Sequence, residues 1–255
     1  NGSHDTQRAL WLLDETIPVS PANGTAYPSA ANHYEVGQPG AEAVQNLMGF
    51  SLMQYTLPGA PQIYYGTEVG LVNPAYYHGG KWEDDPYNRA PFPWGDESGT
   101  PYYTHMTDGN GVRDTLHSFF SILGAARNTH PSLRTGEVTF SLVDDPSMQL
   151  GYYRHMEDGS DAAVVLINRG ASAASMTINL GQDVAVGADF FDVLNEVTYT
   201  TTLDINGNTV LTVASVPANT GILLVLDSGA YGVPAAPTLT LDSVTGTTVN
   251  LSWTN

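Results

Sequence analysis

The chain has 255 residues, 26 acidic against 8 basic side chains and a formal net charge of −18. So acidic a chain, with Lys81 as its one lysine, offers no basic face to nucleic-acid phosphates, and no apolar run reaches the ~20 residues that cross a bilayer as a helix. A hydrophobic share of 42% excludes a disordered chain, the absence of cysteine excludes disulfides and thiolate metal sites, and a charged fraction of only 13% beside abundant Gly, Pro, Thr, Ser and Tyr suggests an extracellular surface of neutral polar groups.

The chain opens at Asn1-Gly2-Ser3-His4-Asp5 in what reads as the end of a buried strand, and closes at Leu251-Ser252-Trp253-Thr254-Asn255 in a strand-like run. It is therefore expected to be a piece of a longer protein, in which case length bounds the piece and not the parent. Asp5-Thr6 is placed to cap a short helix through Leu10, Leu12 and Leu13 that ends before Pro18. Residues 18–40 read as a long loop. From Glu42 the apolar positions Val44, Leu47, Met48, Leu52 and Tyr55 predict a helix stopped by Pro58-Gly59. The run Gln62-Ile63-Tyr64-Tyr65-Gly66 predicts a buried strand, so helix, turn and strand follow in α/β order. Residues 71–111 read as a long aromatic, Gly/Pro-rich excursion, of the length that is usually functional. Val112, Leu116, Phe119, Phe120 and Leu123 predict a second amphipathic helix.

From Glu137 the pattern changes to short strands. Candidates are Val138-Phe140-Leu142, Tyr152-Tyr153, Ala163–Ile167, Met176-Ile178-Leu180, Val197-Tyr199, Val210-Leu211-Val213 and Ile222–Leu226, with turns at Asp158-Gly159 and Asn206-Gly207. Such spacing predicts an antiparallel sandwich or barrel. Residues 137–228 hold 12 acidic and 2 basic side chains, which puts −10 of the net charge there. Residues 229–237 read as a linker and 238–255 as one hairpin.

Four stretches carry chemistry. Gly2-Ser3-His4-Asp5-Thr6 with Arg8 could position a sugar or do acid–base work, although a His-Asp dipeptide is more often incidental. Pro58–Gly70 would set Glu68 just beyond a strand's end, where α/β barrels keep their sites; the plainer reading is a core strand and a glycine turn. Asp84-Asp85-Pro86-Tyr87-Asn88-Arg89, followed by Ala90–Trp94, reads either as a turn with a local Asp–Arg pair or as a carboxylate and guanidinium directed at sugar hydroxyls beside a stacking aromatic. His130–Gly136 looks purely structural.

In this order the four stretches resemble the α-amylase superfamily, glycoside hydrolase family 13, and most nearly its neopullulanase, cyclomaltodextrinase and amylopullulanase branch. Gly2–Arg8 is similar to the signature at the end of barrel strand seven, Pro61–Gly70 to strand eight, and Asp85–Trp94 to a DPxNRxPxPW loop. Residues 112–136 look like the last barrel helix and its exit, and 137–228 like the all-β domain C. The tail from Pro237 looks like the first two strands of a fibronectin type III domain. The implied fold is α/β plus all-β: in 1–136 the C-terminal part of a TIM (β/α)8 barrel, strands 7–8 with their helices; in 137–228 an antiparallel β-sandwich; in 229–237 a linker; in 238–255 the start of a third domain.

The resemblance implies cleavage of α-glucosidic bonds with retention, by a nucleophile and an acid/base carboxyl about 5–5.5 Å apart, assisted by a third carboxylate that grips sugar hydroxyls. Carried over by position, Asp5 is that third carboxylate and His4 donates to a hydroxyl of the same sugar. Asp85 and Arg89 match positions that bind the next sugars on the non-reducing side. The nucleophile and acid/base belong to strands four and five, which lie outside this chain, so the piece alone is expected to be inactive. The implied partners are an α-glucan polysaccharide or oligosaccharide and the missing N-terminal part of the same barrel, with no nucleic acid and no membrane. No cofactor or metal is implied by the residues present, and a calcium ion in the parent enzyme is not readable here. The implied localisation is secreted. Two other readings stand beside this one: a non-catalytic carbohydrate-binding or adhesion module, and a glucanotransferase of the same superfamily. With only two barrel strands present, their apolar faces are expected to lack partners.

Overall fold

A computed structural model describes residues 3, 8–13, 22, 24, 26–27, 40–71, 75–83, 89, 92, 112–227, 238–245 and 248–254. In chain order these form α1 (Ala9–Leu12), β1 (Ala26–Tyr27), α2 (Ala41–Thr56), β2 (Ala75–His78), β3 (Lys81–Glu83), α3 (Val112–Thr129) and α4 (Pro131–Thr135). Strands then follow one another: β4 (Glu137–Asp144), β5 (Gln149–His155), β6 (Ala162–Asn168), β7 (Ala174–Gly181), β8 (Asp189–Asp192), β9 (Val197–Thr200), β10 (Thr202–Leu203), β11 (Thr209–Val216), β12 (Thr220–Leu226), β13 (Thr238–Thr245) and β14 (Thr248–Thr254).

The helical periodicities at 42–55 and 112–123 are met by α2 and α3. The first helix starts later than its sequence suggests, at Ala9, with Arg8 in the capping position and no side-chain cap. The strand expected at Gln62–Gly66 is not formed. Pro61–Tyr64 is irregular, Tyr65-Gly66 turn, and Thr67–Val69 wind into a single 3-10 turn. The physical reason is that a barrel strand takes its ladder bonds from neighbours on both sides, and no such neighbour pairs with this segment among the described residues.

All ladders from β4 onward are antiparallel. Strands β4-β5-β6-β12-β8-β9 make a six-stranded sheet and β10-β11-β7 a three-stranded one, while β13 and β14 pair as a hairpin. The large sheet is covered on both faces. From β6, Ala163, Val165 and Ile167 point to a core shared with α1 to α4, where Leu10, Trp11, Leu47, Leu52, Leu116, Leu123 and Leu133 are buried. The alternate residues Ala162, Val164 and Leu166 point to a second core with Met176, Ile178 and Leu180 of β7 and Leu211 and Val213 of β11. That two-sided burial is why β6 is an unbroken apolar run, whereas β7 alternates with its outer face in water.

The helices are fastened to the sheet by buried polar groups. Arg154 of β5 donates to the carbonyls of Thr56 at 2.6 Å, Leu133 at 3.1 Å and Gly136 at 2.6 Å. Arg127 donates to those of Tyr55 at 2.6 Å and Gly59 at 2.6 Å. Both guanidiniums thus serve the free carbonyls at the end of α2, where a cation also complements the helix dipole. Asp161 accepts from His130 Nδ1 at 2.8 Å and from the Ser132 backbone N–H at 2.9 Å. The His130–Gly136 stretch is therefore a structural seam, in keeping with its sequence reading.

Candidate functional site

The site is built around the doublet Tyr64-Tyr65, held between an irregular segment and a tight turn. Gly66 has φ of +85°, and a Cβ there would stand 2.7 Å from Leu71 Cδ2. Only glycine lets the chain reverse so closely. The turn is closed by the Leu71 N–H donating to the Gly66 carbonyl at 2.8 Å.

Arg8 packs into the corner of this doublet. The two tyrosine rings meet edge to face, centroids 4.6 Å apart at 62°. The Arg8 guanidinium carbon lies 4.4 Å from each ring centroid, and Nη1 donates to the Tyr65 carbonyl. Arg8 is 0% exposed. A weakly hydrated, planar cation on aromatic faces is the form of positive charge that a dry site can hold. Arg8 thus joins the Tyr64-Tyr65 segment across 57 positions of sequence.

Arg89, from the third motif, lies within electrostatic reach of Tyr64. It is exposed. Burial and the hydrogen bond with Tyr65 raise the Tyr64 phenol above its ordinary pKa, and the charges of Arg8 and Arg89 pull it partly back. Arg8, Tyr64 and Arg89 are thus close enough to feel one another. Of the residues expected to touch substrate, Arg89 is the one that is described; His4, Asp5 and Asp85 lie outside the described residues.

Tyr65 also lines an open cavity of about 370 Å³, together with Tyr55, Ile63, Glu68, His117, Phe120 and Ser121. Glu68 does lie just past the segment, as its position suggests. Its Oε2 is buried without a hydrogen-bond partner among the described residues. Its charge is felt by Tyr55, whose pKa is raised first by burial and then by Glu68. Sequence reasoning missed two features here: the stacking role of Arg8 and the approach of His117 from α3. An arginine within a motif that precedes a Tyr-Tyr doublet was the available signal for the first; only tertiary packing reveals the second. Among the described residues no cluster of three or more His, Asp or Glu could hold a metal ion.

No family model matches the chain. The amylopullulanase of Thermoanaerobacterium thermosulfurigenes is 29% identical over 263 residues, covering 99% of this chain and 12% of that protein. The amylopullulanase of Thermoanaerobacter thermohydrosulfuricus is 30% identical over 262 residues, covering 99% and 15%. A cyclomaltodextrinase from a Bacillus species is 35% identical over 117 residues, covering 46% of this chain and 17% of that one. The chain therefore spans less than a fifth of the length of these relatives. The debranching enzyme of Nostoc punctiforme superposes on 73% of the chain and 31% of its own at a TM-score of 0.49 and 22% identity, a likeness too distant to carry an argument. Sequence kinship with amylopullulanases along nearly the whole chain, and with a cyclomaltodextrinase over part of it, fits the α-amylase superfamily, glycoside hydrolase family 13.

Proposed function

We propose that the chain is part of a retaining α-glucan hydrolase, with residues 1–136 supplying the last two strands and helices of a (β/α)8 barrel, 137–228 its domain C and 238–255 the start of a fibronectin type III domain. The observation that carries this reading is convergence. Two stretches far apart in sequence, each resembling a family motif, meet where Arg8 packs on Tyr64 and Tyr65, and the charge of Arg89 from a third reaches Tyr64. A plain binding module has no need of that arrangement.

In this reading Asp5 stabilises the positive charge that develops on the sugar ring and grips its hydroxyls. Both effects are stronger in the transition state than in the bound substrate. His4 donates to a hydroxyl of the same sugar. Asp85 and Arg89 hold the neighbouring sugars, the guanidinium fork giving paired donors at any physiological pH. Arg8 acts as a positioning residue that fixes the His4–Asp5 segment against Tyr65. The nucleophile and the acid/base come from barrel strands outside these 255 residues, and the parent works outside the cell.

Two outcomes test the reading. The 255-residue chain alone should release no reducing sugar from starch, pullulan or cyclodextrin above blank. In the longer polypeptide that carries the upstream strands, Asp5→Asn should lower kcat/KM about a hundredfold or more. Turnover by the short chain that Asp5→Asn abolishes would place the whole catalytic set within it and sink the reading.

A further inference from the structure

The region between the Tyr64-Tyr65 turn and Arg89 reads as loop in the sequence, yet it contains the hairpin β2–β3, on whose β2 edge the distant β1 pairs to make a small antiparallel sheet. Strands β2 and β3 are joined by the two-residue turn Gly79-Gly80, with φ of +60° and +83°. This is the primed type of turn whose twist matches that of its strands, and it makes the hairpin firm. Alternation along β2 divides its side chains. Tyr77 is turned inward and 8% exposed, while Tyr76 is 40% exposed and His78 is exposed. The Tyr76 and His78 rings lie nearly parallel, 18° apart in plane with centroids 6.5 Å apart. A Cβ on Gly24 would stand 3.5 Å from the Tyr76 hydroxyl, and Cβ atoms on Gly79 or Gly80 would meet nothing within 4 Å. The rings are thus carried on a bare, glycine-flanked face.

Exposed aromatic rings in parallel array are costly to keep in water unless something covers them. The cover must suit a face whose rings have one acidic and one basic register partner, Glu83 opposite Tyr76 and Lys81 opposite His78, on a molecule of net charge −18. A polyanion is repelled by that molecule as a whole. A neutral ligand with flat apolar C–H faces and a rim of hydroxyls fits, since ring faces take the C–H surface and the phenol and imidazole reach the hydroxyls. The hairpin also continues directly into the stretch that holds Asp85 and Arg89.

We infer that the β2–β3 hairpin is an α-glucan-binding platform, with Tyr76 and His78 stacking against sugar rings beyond those held by Asp85 and Arg89. The inference rests on the α-glucan reading above. Its test is native electrophoresis of the 255-residue chain through gels containing soluble starch, with hydroxyethylcellulose as the β-glucan comparison. Starch should retard the chain and hydroxyethylcellulose should not. The double substitution Tyr76→Ala, His78→Ala should weaken retardation about tenfold, and Tyr76→Phe, which keeps the ring, should leave most of it. Circular dichroism and the urea midpoint of the double variant should match those of the parent chain, as expected for exposed positions. Equal retardation of the double variant overturns the platform while leaving the α-glucan reading intact, because that reading is scored by Asp5→Asn in the longer polypeptide. Absence of retardation by starch, or equal retardation by the β-glucan, also overturns it.

Discussion

Arg154 shows how a cation can be buried with carbonyls alone for partners. It is 1% exposed, and its pKa is lowered first by burial and then by the nearby charge of Arg127. Its bonds to the carbonyls of Thr56, Leu133 and Gly136 compensate the lost hydration. Arg154→Met should fill most of the volume yet leave those acceptors unmet, at a cost of about 3 kcal/mol in urea unfolding. A loss below about 1 kcal/mol would mean that water reaches the carbonyls once the guanidinium is gone. The adjacent Tyr152 supplies a pH test. Burial pushes its phenol up to about 12, against a hydrogen bond to Thr56 Oγ1 of 2.6 Å. A folded pKa above the unfolded value of 10.0 means that its contribution is complete below that pH and is lost as pH rises towards about 12. Tyr152→Phe should therefore flatten the alkaline loss of stability over that window, measured as urea midpoints. An unchanged alkaline slope would show that Tyr152 ionises as freely folded as unfolded.

The elements show where sequence pattern suffices and where it does not. The helices α2 and α3 and the strands β6, β7, β11 and β12 are legible because each has a long periodic or continuous apolar signal. Strand β8 was missed because Asp-Phe-Phe-Asp is short and flanked by acidic groups; its closing Asp192 is buried and spends its oxygens on the N–H groups of Leu194 and Asn195. The β2–β3 hairpin was missed because its Gly-Gly turn lies in a stretch crowded with loop-forming residues. The segment at 62–66 misled in the other direction, since Ile-Tyr-Tyr has strand propensity but a ladder needs a partner. Close packing of elements was also invisible. At Gly221 of β12 a Cβ would stand 2.6 Å from Leu52 Cδ2 of α2 and 2.7 Å from the Leu166 carbonyl oxygen. Gly221→Ala should push α2 off the sheet and cost about 1–3 kcal/mol, read as a fall in thermal midpoint. Retention of the midpoint would show that Leu52 can swing aside.

At the scale of the molecule, the described helices are not left bare. Leu47, Leu116 and Leu123 share one core with the large sheet, so helices, six-stranded sheet and three-stranded sheet form three layers. The expectation of unpartnered apolar faces concerned two barrel strands, of which one falls largely outside the described residues and the other, at 62–66, forms no strand. The acidity is likewise peripheral. Of the 12 acidic side chains in 137–228, Asp161 and Asp192 are buried, which leaves ten outside the core. Outside the core, they make the surface negative, which favours solubility and repels polyanions. At the site, the cradle of Arg8 on Tyr64 and Tyr65 was not legible, because it depends on contacts across the fold.

The central claim is that Asp5 serves an α-glucan transition state in a site completed by strands beyond this chain. The most direct test is kcat/KM for a maltooligosaccharide in the longer polypeptide, before and after Asp5→Asn. A fall of about a hundredfold or more with the KM little changed is the result expected. A kcat/KM that Asp5→Asn leaves unaltered would contradict the account.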